Sequence, residues 1–340
     1  MQKKEDFNIN YRALPYDLVF DVLLHLPEED IYDNAMLVCR RWSHIIRSRD
    51  FVNAHRARHS TPGLLILDYS LHQKGKKTLG FCGNETRQNR DCRFASCNGL
   101  ILEYDNFSKR AHKITNPEIN QRFVVPPIYP QMPYHRFSSI AYSAASMEYK
   151  VVYIYDRDED ASTLRCVIAT VGVDNSRRDV CTQHLSPEAK GQLYRNKTTT
   201  TEGFAHWTDA KTHTLVLTLN VETETFTQYP VPQGQDNYGD KYYLSTGKSL
   251  TLFDSGSNFF MEVWEMKLET GEWTKMYKID LEAQKCNFEH FRSKGCSFPF
   301  ALKPVGWLKY REVLVLRFSH MTRFCVAYNV LTKEFDYFKL

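Results

Sequence analysis

The chain has 340 residues, with 44 Lys and Arg against 40 Asp and Glu; a formal charge of +4 is too small an excess for an electrostatic footprint on nucleic acid. Its 42% hydrophobic content can fill one large core or two smaller ones, but the opening Met-Gln-Lys-Lys-Glu-Asp has no apolar h-region, and no run of about 18 apolar residues offers a membrane span. The 9 cysteines are scattered and include no CxxC pair, and Cys92 and Cys97 lack a second pair at metal spacing, so reduced thiols in the cytoplasm or nucleus are expected and no metal or cofactor.

The first predicted elements are helices. Leu18, Val19, Val22, Leu23 and Leu26 fall at the i, i+1, i+4, i+5, i+8 spacing of one helix face. Pro15 suits a first turn, and Pro27 ends the segment. Glu28, Glu29 and Asp30 then put negative charge at the start of a second helix, whose apolar stripe is Ile31, Ala35, Val38 and Cys39. A third helix carries Trp42, Ile45 and Ile46, with Phe51 and Val52 beyond it. A piece of about 45 residues buries too little surface to be comfortably stable alone, so it needs a partner protein or the rest of the chain.

Leu14-Pro15, Leu26-Pro27 and Val38-Cys39 followed by Trp42 occur together and in order, and this pattern resembles the F-box of plant F-box proteins over residues 12–55. One departure is Pro27 to Ala35, acidic where the family usually carries a more basic run. The resemblance implies a three-helix domain that docks a small acidic adaptor of the Skp type and, through it, a cullin–RING ubiquitin ligase. The implied contact residues are Leu14, Pro15, Leu18, Val22, Leu23, Leu26, Pro27, Ile31, Leu37, Val38, Cys39 and Trp42.

From about residue 62 to 340 the helix period gives way to short β-branched and aromatic runs, such as Leu64–Leu67, Gly99–Leu102, Val151–Tyr155 and Val313–Leu316, separated by Gly, Asn, Asp, Ser and Pro. No helical pattern alternates with them, which argues against a parallel sheet. Three stretches share one register: Asn220 to Phe226, Lys267 to Trp273 and Asn329 to Phe335, each with Thr fourth and an aromatic seventh. Asn116 to Phe123 has one extra residue, and Gly172 to Val180 is a degraded copy without the aromatic. The polar centre predicts a tight hairpin turn, with the aromatic packing the returning strand against a neighbouring sheet. The spacing approximates one four-stranded blade, so a large all-β domain, a propeller of five or six blades, is expected, the sixth drawn from the room between 62 and 110. An irregular β-sandwich is the alternative.

The same domain resembles the F-box-associated domain of plant F-box proteins over roughly residues 60–340, carried by Ser96 to Ile101, Ile114 to Pro117, Tyr149 to Val152, Phe204 to Trp207, Met261 to Met266 and Trp273 to Met276. It departs at Arg177 to Val180, where the family tends to carry a tryptophan. The resemblance implies a non-catalytic adaptor whose propeller holds an unknown target protein. No GxSxG, HExxH, GxxxxGK[ST] or GxGxxG stands in a credible context. His206 beside Trp207 is expected to be structural, Asp156 to Asp160 a solvated turn, and Cys97 before Asn98-Gly99 a hairpin residue. A ligand- or glycan-binding propeller capped by the helices is the competing function. Val125 to Pro130 and Pro232 to Lys241 are candidate surface loops for the target.

Overall fold

Leu23 and its neighbours organise the front of the chain. A computed structural model describes residues 14–27, 30–59, 92–105, 112–116, 121–125, 135–156, 164–172, 177–195, 198–208, 214–232, 240–257, 259–282, 302–309, 311–318 and 324–339. The chain divides into two units, Met1–Pro62 and Gly63–Leu340.

In the first unit α1 (Tyr16–Leu24) follows Pro15 directly. A π-helical turn, Ile31–Ala35, runs into the short α2 (Met36–Val38), which the extended backbone of Cys39 (φ −161°, ψ 166°) breaks before α3 (Arg40–Ile46). α4 (Arg49–His59) completes the unit; Ser48 caps it, accepting from the Phe51 amide and donating to the Ile45 carbonyl. Val19, Leu23, Ile31, Ala35, Ile45, Ile46 and Phe51 form one core, with Phe20, Leu24, Leu26, Met36 and Trp42 packed against it. The second-helix stripe expected over Ile31, Ala35, Val38 and Cys39 therefore holds only for its first half: the break at Cys39 turns Val38 and Cys39 out to solvent. The expected third helix is α3, and Phe51 and Val52, expected beyond it, lie on a further helix that runs on to residue 59.

The second unit is a five-bladed β-propeller. Its blades are antiparallel four-stranded meanders taken in chain order. The first holds β1 (Cys92–Cys97), β2 (Leu100–Asp105), β3 (His112–Asn116) and β4 (Gln121–Val125). The second holds β5 (His135–Ser143), β6 (Glu148–Asp156), β7 (Leu164–Thr170) and β8 (Arg177–Val180), and the third β9 (Thr198–Thr201), β10 (Phe204–Thr208), β11 (Leu215–Asn220) and β12 (Thr225–Pro230). The fourth holds β13 (Lys241–Ser245), β14 (Leu250–Ser257), β15 (Phe260–Met266) and β16 (Trp273–Asp280), and the fifth β17 (Leu302–Lys309), β18 (Val313–Phe318), β19 (Phe324–Asn329) and β20 (Phe335–Lys339). Between blades two and three lies α5 (Pro187–Arg195). First strands lie side by side, β1 against β5, β5 against β9, β9 against β13 and β13 against β17, so they line the centre and fourth strands the rim. Residues 92–105, counted in the sequence toward a further blade, supply the first two strands of blade one; Leu64–Leu67 lies outside the described residues.

Every repeated turn joins the third strand of a blade to its fourth. In blades three and five the opening asparagine accepts two backbone amides: Glu222 and Thr223 donate to Asn220, and Leu331 and Thr332 to Asn329. The fifth position is left-handed in all three close copies, at Glu224 (φ 56°), Gly271 (φ 73°) and Lys333 (φ 65°). The seventh-position aromatics face the preceding blade. Phe226 joins the core shared by blades two and three, Trp273 the one between three and four, and Phe335 the one between four and five. Trp273 also donates from its indole Nε1 to the Pro230 carbonyl at 2.9 Å, tying one rim strand to the previous one. Phe123 in blade one is 44% exposed. A further core, around Leu102, Ile114, Ile140 and Tyr153, joins blades one and two.

Among the described residues, Gly271 is the one turn position where both backbone and space demand glycine. A Cβ there would stand 1.8 Å from the Tyr229 ring, and the backbone is left-handed. Gly271→Ala is expected to destabilise the propeller by about 2 kcal/mol, read as a lower midpoint in urea. An unchanged midpoint would show that Tyr229 yields at no cost.

Candidate docking face

An amphipathic helix on a small core can hide one stripe and must leave the other in solvent. The apolar stripe of α1 is broader than the core beneath it, and it splits. Val19 and Leu23 point inward, at 3% and 0% exposure, while Leu18 and Val22 stand outward at 52% and 55%. Leu18 and Val22 make an i, i+4 ridge on α1, and Leu14, just before the extended Pro15 that precedes the helix, is 56% exposed. Leu37 and Val38, on the turn that Cys39 breaks, are the most exposed large apolar residues among those described in the unit, at 77% and 61%. Monomeric surfaces seldom leave such residues grouped, and grouped ones mark contact surfaces.

The residues singled out in the sequence therefore separate into three sets. Leu14, Pro15, Leu18, Val22, Pro27, Leu37, Val38 and Cys39 are exposed. Leu26 and Trp42 are half-buried against the core. Leu23 and Ile31 are wholly buried, so they hold the helices together and have no surface to offer a partner. The spacing could not separate Leu23 from Val22, because both edges of the stripe are apolar. Tyr16, which the spacing passed over, is 49% exposed because it lies at the first turn, where the core stops; its ring leans on Phe20 at 6.0 Å.

The core holds this face in shape through two histidines. His55 stacks on Phe51 at 5.5 Å and donates from Nε2 to the Leu26 carbonyl at 2.8 Å, fixing the chain between α1 and the π-helical turn. His25 accepts from the Arg58 guanidinium at Nε2, with its Nδ1 against the Asp21 carbonyl.

Two histidines and two cysteines of the propeller are buried as neutral species. His206 is fully buried between the Thr201 and Thr218 hydroxyls, each 2.9 Å from a ring nitrogen, and desolvation pushes it down to about 3. His112 sits against Ser138 at 3.0 Å and edge-on to Tyr153, and burial lowers it to about 4. Burial drives the Cys166 thiol upward and Cys325 up to about 11. Protonated thiols are poor nucleophiles. Cys97 is buried, and Asn98 (φ 49°) with Gly99 (φ 82°) forms the two-residue hairpin turn expected there. Asp156 ends β6; the rest of that acidic run and most of both candidate target loops lie outside the described residues. Among the described residues no cluster of His, Cys, Asp or Glu could hold a metal ion. Trp207 and Trp307 lie in inter-blade cores, and Trp264 and Trp273 pack against a third. At Arg177 to Val180 the strand is regular, and Arg178 donates to Glu224 of the next blade at 2.6 Å.

Residues 13–53 match the family model described as the F-box domain, and residues 64–338 match the F-box associated beta propeller domain. Two Arabidopsis thaliana proteins named as candidate F-box proteins are similar. At1g12855 is 22% identical over 327 residues, covering 79% of this chain and 68% of its own; At5g52610 is 24% identical over 285 residues, covering 76% of each. The Arabidopsis thaliana F-box/LRR-repeat protein At2g43260 is 21% identical over 301 residues, covering 82% of this chain and 70% of its own.

Proposed function

Because the chain belongs to the family of F-box proteins with an F-box associated β-propeller domain, we propose that it is the substrate-recognition subunit of a cullin–RING ubiquitin ligase of the SCF type. In this reading the helical unit docks a Skp-type adaptor and the propeller holds the target protein. The chain itself makes and breaks no bond, and it works in the cytoplasm, the nucleus or both. The observation that carries the reading is the exposure of Leu14, Leu18, Val22, Leu37 and Val38 beside a core that is complete without them. Burying such residues supplies binding free energy at about 25 cal/mol per Å², against the cost of association. The neutral, buried state of His112, His206 and Cys166 supports a binding role for the propeller over an acid–base or nucleophilic one.

The test uses the full chain and a purified Skp-type adaptor. Leu14→Ala combined with Pro15→Ala is expected to weaken the complex by at least about tenfold, while the propeller's melting transition stays in place. Unchanged adaptor affinity would sink the reading.

A further inference from the structure

Charge in the helical unit is sorted along the chain. Residues 13–39 contain Asp17, Asp21, Glu28, Glu29, Asp30 and Asp33 and no Lys or Arg. Residues 40–59 contain Arg40, Arg41, Arg47, Arg49, Arg56 and Arg58 against Asp50 alone. The outward side of α3 concentrates this excess. Arg40, His44 and Arg47 follow i, i+4, i+7 spacing, Arg41 stands beside them, and all four are exposed, while Ile45 and Ile46 point into the core. No ion pair with a described acidic side chain holds Arg40, Arg41 or Arg47, and the hydrogen-bond partner of the Arg47 side chain is the Met36 sulfur at 3.7 Å. Arg40 and Arg41 open α3, where a helix dipole favours acids, so local helix stability does not account for them. They follow directly on Leu37 and Val38, the most exposed apolar pair among the unit's described residues.

From this juxtaposition we infer that Arg40, Arg41 and Arg47 form a basic rim of the docking face that receives an acidic surface of the same protein partner that covers Leu37 and Val38. The inference rests on the docking reading above and adds the residues that steer the encounter. Exposed charges at an interface rim act mainly on the association rate and its salt dependence, and apolar contacts mainly on dissociation. A protein suits the site better than nucleic acid, because the stripe spans only about 10 Å of helix and apolar residues adjoin it.

The experiment measures association and dissociation of the full-length chain with a Skp-type adaptor between about 50 and 300 mM salt, a range over which the Debye length falls roughly from 14 to 6 Å. The triple variant Arg40→Glu, Arg41→Glu, Arg47→Glu is expected to associate at least about tenfold more slowly at the low-salt end, with dissociation changed less than about threefold and the salt dependence flattened or reversed. The matching Lys variant keeps the parent rate, since charge alone is required, and guards against a folding defect. An unchanged rate and salt slope in the Glu variant, with the parent chain binding normally, overturns the inference but not the docking reading. Failure of the parent chain to bind the adaptor overturns both. Salt-sensitive binding of a random DNA duplex that the Glu variant loses, with adaptor kinetics untouched, also overturns it.

Discussion

Acidification from about pH 7.5 to 5.0 is expected to remove about 4 kcal/mol from the stability of the propeller, through two histidines that cannot protonate while it is folded. His206 is held near 3 and His112 near 4 in the folded unit, both by desolvation, against an ordinary value of 6.5 in the unfolded chain. Above 6.5 both states carry neutral imidazoles and nothing is lost. Below it the unfolded chain binds protons that the folded one refuses, so stability falls with pH by about 1.4 kcal/mol per unit for each histidine. The loss continues until the folded values near 4 and 3 are reached. Stopping at about pH 5 keeps ordinary carboxylates ionised, which isolates the imidazoles. His206→Gln retains a donor and an acceptor for Thr201 and Thr218 and should roughly halve the loss, as urea unfolding across this pH range would register. If that variant and His112→Gln each lost as much stability as the parent chain, another group would have to be responsible.

The repeat could be read in the sequence, as five or six blades, because three of its turns carry chemistry at fixed offsets. Asn220 and Asn329 need an acceptor side chain to collect two amides, and Phe226, Trp273 and Phe335 need apolar bulk to reach the previous blade. The left-handed fifth position was not legible, because Glu224 and Lys333 occupy it as well as Gly271, and only glycine advertises that conformation in a sequence. Helix α4 was hidden for a different reason. Its buried stripe pairs Phe51 with His55, and a histidine that stacks and hydrogen-bonds in a core carries no apolar signal. The residues proposed for docking were legible as a group, Leu18, Val22, Leu23 and Leu26 from their spacing and Leu14, Pro15, Pro27 and Leu37 only from the family pattern. Their division into inward and outward sets was not, because it depends on how far the core of Ile31, Ile45, Ile46 and Phe51 reaches under α1.

That division is what a pair of leucine truncations should expose. Leu23 is fully buried and Leu18 is 52% exposed on the same helix. Leu23→Ala leaves a cavity among Val19, Ile45, Ile46 and Phe51 and is expected to cost about 3 kcal/mol. A unit of this size has only a few kcal/mol to lose, so its helices should become open to proteolysis and to amide exchange while the propeller keeps its protection. Adaptor binding is then lost as a consequence of unfolding. Leu18→Ala removes the same atoms from a surface position. It should leave amide protection in α1 and α4 within about 0.5 kcal/mol of the parent chain, yet weaken adaptor binding by roughly tenfold. The two substitutions are chemically identical and five residues apart, so propensity and side-chain entropy nearly cancel between them and burial alone sets the contrast. Equal loss of protection in both variants would mean that Leu18 belongs to the core, and the ridge it forms with Val22 would not be a docking face. Full protection and full binding in Leu18→Ala would leave the core assignment standing and remove Leu18 from the contact.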